Sequence, residues 1–328
     1  MSEFEKLVKS FHGRRIAVVG DLVVDRYIHG NTRRISREAP VLIVREEAQE
    51  ARMGGAANVV ANIHALGGEP VPVGLIGADD NGNWLLQALA NRGISPEGVI
   101  VDPNRFTTTK TRVLAGGRNT VRQQMLRVDR INDDPVTAPI RSNIIERLRR
   151  VLTNVEALVV SDYREGVVEE EVFEEIQQIA AAGQVPVYVD ARRGIERFRK
   201  AEALVPNEPE LAAATGRDLN GGQMLQEAAR WLLEQTDSRA VVVKRGRNGM
   251  GLFLEDGRNV LEQAYGLVEV ADVTGAGDTV IAAYSLARCA GAEPVQAAHL
   301  ANIAGGIKVT KSGTAVVNIR ELHQALSS

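Results

Sequence analysis

Along the chain, short apolar runs rich in β-branched residues alternate with stretches whose apolar positions recur at helical spacing. The runs are "RIAVVG" ending at Gly20, "VPVGLIG" at 71–77, "ALVVSD" at 157–162, "VPVYVD" at 185–190 and "AVVVK" at 240–244. Each is continuous and bounded by polar or turn residues, as expected of a strand covered on both faces. Between them, Ile144, Ile145, Leu148, Val151 and Leu152, and later Phe173, Ile176 and Ala180, mark helices. The alternation predicts an α/β fold: a mostly parallel central sheet with helices on both faces. Ligands of such sheets bind at the C-terminal ends of the strands.

Two stretches break the pattern. Residues 26–47, "RYIHGNTRRISREAPVLIVREE", and 106–129, "FTTTKTRVLAGGRNTVRQQMLRVD", alternate polar and apolar residues without a helical period. They read as antiparallel strands exposed on one face. Both are rich in arginine and lysine, which leaves two readings open: a surface ribbon, or a β-stranded lid over an anionic substrate. The apolar side chains of "VLIV" at 41–44 need cover on an exposed strand edge, and a homodimer through the lid would supply it.

Composition narrows the class. With 328 residues, 44% of them hydrophobic, and no compositional break, the chain is read as one domain, 1–328, carrying the lid segments. Thirty-nine basic against 42 acidic residues give a net charge of -3, which argues against nucleic acid as a partner and makes any anion site local. Cys289 is the single cysteine, so neither an intramolecular disulfide nor a thiolate metal cluster is available. Met1 to Phe11 is too charged for a signal peptide and no apolar run has membrane-spanning length, so a cytoplasmic location is expected.

The sharpest chemical signal is "ADVTGAGDTV" at 271–280. An apolar run follows it, so Gly275, Ala276 and Gly277 fall at a helix N-terminus, where free N–H groups and the helix dipole attract anions. Asp278 then sets a carboxylate where a plain phosphate loop would not want one. A site that holds a phosphoryl group while a base accepts the proton of the attacking hydroxyl needs both. Further candidates are the glycines Gly54 and Gly55, ahead of a helix carrying Asn58, and Asp25, just after the first strand. Either a sugar contact or a tight turn explains each of them. Asp162 at another strand end carries the same ambiguity. Asn207 and Glu210 in "VPNEPEL" form a capping box or support hydrated Mg²⁺, and spacing does not separate the two.

Rival motifs fail. There is no G-x-x-x-x-G-K-[ST], Val280 stands where a dinucleotide fingerprint would have its third glycine, and "RGRNGMG" at 245–251 reads as a hairpin turn. His12, His29, His64, His299 and His323 have no metal-ligand spacing.

Taken together, "GGAANVVANIHALGG" and "DVTGAGDTVIAAY" resemble the two signatures of the ribokinase-like sugar kinases, and the resemblance covers essentially the whole chain. Within that family, "GDLVVDRY", "ISREAPV", "TTTKTRVL" and "QQMLRVD" are similar to kinases of D-glycero-D-manno-heptose 7-phosphate. These make the 1,7-bisphosphate on the way to the ADP-heptose of lipopolysaccharide, and many are fused to an adenylyltransferase. The chain ends soon after the kinase part, so a monofunctional protein is expected.

The resemblance implies ATP and Mg²⁺ as cofactors. It implies Asp278 as base, Gly275, Ala276 and Gly277 as anion hole, Asp25, Gly54, Gly55 and Asn58 as sugar contacts, and Asp162 as a further substrate contact. Asn207 and Glu210 match the pair near the nucleotide phosphates and Mg²⁺; Lys244, Gly246 and Asn302 fall in the stretches that enclose the nucleotide. Asp272 and Thr274 sit where some members place a monovalent cation, which implies K⁺ activation. "VDARRG" at 189–194 departs from the pattern, with Ala191 and Arg192 where heptose kinases often have proline and lysine.

A substrate that already carries a phosphate needs cations at its far end. Arg37, Lys110 and Arg112 in the lid are the candidates, the last two on one face of their strand. Asp278, at the ordinary aspartate pKa of about 3.9, would orient the hydroxyl and accept its proton late. A kinase for another sugar, and a non-catalytic phosphosugar or nucleotide sensor, remain alternatives; the Asp278 carboxylate beside an anion site counts against the sensor.

Overall fold

The computed structural model describes residues 2–116, 122–183, 185–219, 221–266 and 271–327. Helix α1 (Glu3–Lys9) precedes β1 (Arg15–Gly20), which passes directly into the long β2 (Leu22–Ile35); β3 (Leu42–Gly55) returns antiparallel to it and leads into α2 (Ala56–Ala65). The chain continues through β4 (Glu69–Gly77), α3 (Asp80–Ala90), β5 (Gly98–Asp102), β6 (Thr109–Gly116) and β7 (Gln123–Arg130) to α4 (Ala138–Leu152). Then follow β8 (Ala157–Asp162), α5 (Glu170–Ala182), β9 (Val187–Ala191), the two-residue β10 (Ala203–Leu204), α6 (Glu208–Thr215) and α7 (Gly222–Thr236). Last come β11 (Ala240–Lys244), β12 (Met250–Leu254), β13 (Asn259–Glu262), α8 (Ala276–Cys289), α9 (Pro294–Val309) and α10 (Ile319–Leu326).

The large sheet has the order β13-β12-β11-β10-β9-β8-β1-β4-β5. It is parallel from β5 to β11, and β12 alone is reversed, pairing antiparallel with both β11 and β13. This is the expected ribokinase-like α/β architecture. Successive residues of a strand face opposite sides. Val18, Val159 and Val242 accordingly pack toward α2, α8 and α9, while Val19, Val160 and Val243 pack toward α4, α5 and α7. Helix α8 is buried from Asp278 to Ala287, which anchors the body of the helix in the core.

The small sheet, ordered β3-β2-β6-β7, is the expected lid, with one correction. Each ribbon is antiparallel within itself, but β2 and β6 pair in parallel, with Asp25 opposite Lys110 and Tyr27 opposite Arg112. Both strands leave the same C-terminal edge of the large sheet, β2 after β1 and β6 after β5, so they must point the same way. The lid strands also extend beyond 26–47, since β2 starts at Leu22 and β3 reaches Gly55. Residues 117–121 of the second segment lie outside the described residues.

Candidate active site

A cleft of ≈ 430 Å³ opens at the C-terminal ends of the large-sheet strands, roofed by the small sheet. Asp25, Gly55, Lys110, Arg112 and Asp162 line it from one side, and Asn207, Glu210, Lys244, Gly246 and the 273–278 segment from the other. Most of the expected site residues, scattered from 25 to 278, therefore converge.

Asp278 lies in the first turn of α8, 3% exposed. Its Oδ1 accepts a hydrogen bond from the Tyr163 hydroxyl at 2.7 Å, and its Oδ2 one from Asn58 Nδ2, also at 2.7 Å. Burial raises its pKa to about 7, and the Asn58 and Tyr163 hydrogen bonds oppose that shift. The ordinary aspartate value expected from sequence is thus corrected: in the free protein this carboxylate titrates near neutrality. Burial, with Asp278 and Asp190 nearby, pushes the Tyr163 phenol well above its usual value, so it remains a donor.

Gly275 adopts φ +79°, and a Cβ there would come within 2.5 Å of Asn58 Nδ2. A side chain would push apart the contact that orients Asp278. The anion hole is narrower than expected, because the Ala276 N–H is taken by Val273 O at 3.1 Å. Among the described residues, the N–H groups of Gly275 and Gly277 carry no such partner and are the ones available to an anion.

Asn58 is fully buried and meets Asp278 and Asn62, so it orients the carboxylate where a direct sugar contact was expected. Gly54 backs the site: a Cβ there would stand 2.4 Å from Asp25 Oδ2. Asp162 borders the cleft, but its side chain is 1% exposed and its Oδ1 accepts the Arg164 N–H. Its neighbour Tyr163 is the residue that reaches Asp278. Tyr163 rides on a loop held by Asp21, whose buried carboxylate accepts N–H groups from Tyr163, Glu165 and Val167 at 2.8, 3.2 and 3.0 Å.

In the lid, Lys110 and Arg112 both face the cleft, as alternation requires, but neither cation is free. Lys110 Nζ is 3.0 Å from Glu165 and Arg112 is 2.5 Å from Asp25. Arg37 sits exposed in the turn between β2 and β3 and does not line the cleft. In contrast, Arg192, in the stretch that departs from the family pattern, lines the cleft and stacks on the Tyr163 ring at 4.2 Å.

Asn207 and Glu210 form the capping box of α6, each side chain bonding the other's N–H at 2.7 Å. They also border the cleft, so the two readings of this pair are compatible. Lys244 Nζ lies 2.8 Å from both oxygens of Asp190 and 3.9 Å from Glu210. Burial alone would lower the Lys244 pKa, but the Asp190 and Glu210 carboxylates overcome it and hold the amine protonated. Lys244, Gly246, Ala276 and Gly277 also border a second, mainly apolar cavity of ≈ 160 Å³ with Met250, Tyr265 and Val280. Asn302 is in its wall, with its amide committed to Gln263 O at 2.7 Å.

Asp272 lies behind the anion hole. Its carboxylate accepts the N–H groups of Thr274 and Gly313, and its carbonyl oxygen accepts Lys308 Nζ at 2.9 Å. The expected monovalent-cation ligand is therefore already engaged by an ammonium. Burial lowers the Lys308 pKa to about 8, which leaves the amine protonated at neutral pH. Among the described residues, no group of three or more His, Cys, Asp or Glu side chains could hold a metal ion by itself.

A polar cleft with free helix N-terminal N–H groups and a buried carboxylate, joined to an apolar slot, lies on a ribokinase-like fold, and the family match makes the chain a carbohydrate kinase. The chain belongs to the pfkB family carbohydrate kinases, whose family profile matches residues 14–320. It is 38% identical over 323 residues to the "Bifunctional protein HldE" of Mesorhizobium japonicum, covering 98% of this chain and 64% of that protein. With the protein of the same name from Geobacter sulfurreducens it shares 39% over 310 residues, 94% of this chain and 62% of that protein. The chain thus spans somewhat under two thirds of these relatives. Among solved structures, Arabidopsis thaliana ribokinase complexed with ribose and ATP superposes with a TM-score of 0.74 at 20% identity, covering 96% of this chain and 99% of that one.

Proposed function

We propose that this kinase transfers the γ-phosphoryl group of ATP to the anomeric hydroxyl of D-glycero-D-manno-heptose 7-phosphate, giving the 1,7-bisphosphate. The observation that carries the reading is the arrangement around Asp278. A carboxylate held by Tyr163 and Asn58 stands beside free helix N-terminal N–H groups, with lid cations facing the same cleft.

Phosphoryl transfer proceeds through a loose transition state with charge on the equatorial oxygens, so positioning and electrostatics supply most of the catalysis. The N–H groups of Gly275 and Gly277 receive that charge, and Arg192 adds positive potential at the cleft wall. Asp278, near neutrality in its pKa, orients the sugar hydroxyl and takes its proton as the new bond forms. Asp25, fixed by Arg112, takes sugar hydroxyls, and Lys110 and Arg112 bind the far phosphate. The apolar slot of Met250, Tyr265 and Val280 suits a nucleobase. Mg²⁺ commonly keeps several waters and needs only one or two carboxylates beside the nucleotide phosphates. Glu210 at the cleft border would supply one such carboxylate, Asp190 being held by Lys244, and a bound ion there would neutralise phosphate charge.

Exposed apolar side chains in the lid, Val41, Leu42 and Leu126 among them, support a homodimer formed through the small sheets. The ATP requirement and the unpaired Cys289 suit the cytoplasm.

ADP release by the purified protein with a panel of sugars and sugar phosphates tests the substrate, and phosphorus NMR of the product tests the site of transfer. A new anomeric phosphate on heptose 7-phosphate is expected. Turnover restricted to another sugar, or a phosphate ester at another carbon, would overturn the assignment.

A further inference from the structure

Lys308 sits in the last turn of α9, fully buried. Its Nζ donates to Asp272 O at 2.9 Å and to Lys311 O at 3.3 Å. The first carbonyl belongs to the segment that enters the anion hole, the second to the turn leaving α9. That turn is also tied to the site by Gly313 N–H on Asp272 Oδ2, Arg52 on Ser312 O, and Thr314 N–H on the Tyr27 hydroxyl. The ammonium therefore joins two segments that both border the cleft, since Thr274 and Thr314 line it.

Carbonyl oxygens converging on a dehydrated positive charge are the chemistry of a bound monovalent cation. They are also what an ammonium offers three donors to. A potassium ion placed against Asp272 O would have to displace Lys308 or accept a like charge within contact distance in a buried site, which is strongly unfavourable. K⁺ therefore does not fit at Asp272, because the chain's own ammonium fills the position.

We propose that Lys308 is a built-in monovalent cation: its ammonium takes the structural place of K⁺ behind the anion hole and makes this kinase independent of monovalent cations. The inference rests on the kinase reading of the 272–278 segment. A fixed ammonium cannot dissociate, so the anion-hole segment keeps its shape at any potassium concentration, whereas an enzyme with an exchangeable ion loses that shape when the ion leaves.

The test uses the whole protein and two readouts. Turnover of ATP with the accepted sugar phosphate is measured in potassium, sodium and tetramethylammonium chloride at matched ionic strength, for the wild type and for Lys308→Ala, together with thermal unfolding in the same salts. The wild type is expected to vary by less than about twofold across the salts. Lys308→Ala is expected to lose at least about tenfold in tetramethylammonium, the scale of a charge-assisted hydrogen bond, and to recover in potassium. Its melting temperature should rise in potassium, by linkage to ion binding. A wild type activated several-fold by potassium overturns the proposal, and this arm needs no variant. A folded Lys308→Ala that is as active as the wild type and indifferent to potassium overturns it too. If no sugar is phosphorylated, the kinase reading fails by itself, while the melting shift of the variant still reports whether Lys308 fills a cation site.

Discussion

The hydroxyl of Tyr163 donates to Oδ1 of Asp278 at 2.7 Å, across 115 residues of sequence, while Asn58 holds the other oxygen. Both bonds favour the ionised carboxylate and work against the burial that raises its pKa to about 7. Removing one should weaken the base's alignment and leave it protonated over a wider range. Tyr163→Phe is therefore expected to lower kcat by about tenfold, within the usual range for a lost catalytic hydrogen bond, and to move the acidic limb of kcat/KM to higher pH. Because Tyr163 stands apart from the apolar slot, KM for ATP should hardly change. A pH profile superimposable on the wild type would remove Tyr163 from the mechanism.

A second prediction couples activity to stability. The Asp278 pKa is about 7 in the fold against an ordinary aspartate value of 3.8, so between these values the folded state binds the proton more tightly than the unfolded chain does. The stabilisation this gives is complete below 3.8 and is lost as pH rises through 7. Above 7 the fold carries a buried charge. Asp278→Asn removes that charge and should melt higher than the wild type at pH 8, with the difference shrinking as the pH falls toward 4. The same variant should lose at least about a hundredfold in kcat, the scale of a positioned acid or base. Melting curves at two pH values and one steady-state assay decide both halves; near-normal turnover would refute the role of Asp278.

The sequence pattern sufficed for β1, β4, β8, β9 and β11, because strands buried on both faces leave unbroken apolar runs. It sufficed for the position of Asp278 in the first turn of α8 as well, because a glycine-led helix start is a local feature. The two-residue β10 gave no run to see. Tyr163 escaped because its role lies in a contact 115 residues away, and the adjacent Asp162 drew attention at the same strand end. Lys308 escaped because a lysine near a helix C-terminus ordinarily reaches solvent; only the packing of the following turn over α9 shows that it turns inward. The pairing of Lys110 and Arg112 with Glu165 and Asp25 was hidden for the same reason. Alternation along a strand gives the face of a residue, not its partner.

That pairing shapes a third prediction. A substrate phosphate must compete with Glu165 for Lys110, since the two groups are 3.0 Å apart and largely buried. Lys110→Ala should raise KM for the sugar phosphate by about ten- to a hundredfold, equivalent to roughly 1.5–3 kcal/mol for a charge-assisted contact, with KM for ATP nearly unchanged. Glu165→Gln should act in the opposite sense and tighten binding of the sugar phosphate by freeing the ammonium. Parallel KM measurements separate the outcomes; equal effects on sugar phosphate and ATP would mean that Lys110 supports the lid and does not bind the phosphate.

The final prediction concerns the outer side of the lid. Arg127 faces the cleft from β7, so Leu126 and Val128 on either side of it point to the opposite face, where they are 57% and 52% exposed. At the far end of the sheet, Ile35, Val41 and Leu42 are exposed in the same way. Both edge strands of the small sheet carry exposed apolar side chains, and edges such as those of β3 and β7 invite pairing. A homodimer through the small sheets would cover side chains such as Leu126 and Val128 and stiffen the roof that carries Lys110 and Arg112. The double variant Leu126→Lys, Val128→Lys sets like charges into that contact, and it should sediment as a monomer at micromolar concentration where the wild type is a dimer. Its KM for the sugar phosphate should rise through loss of the stiffened lid, while KM for ATP, bound against the large sheet, should stay near the wild-type value. A wild type that sediments only as a monomer, or a double variant that remains dimeric, would place the contact elsewhere.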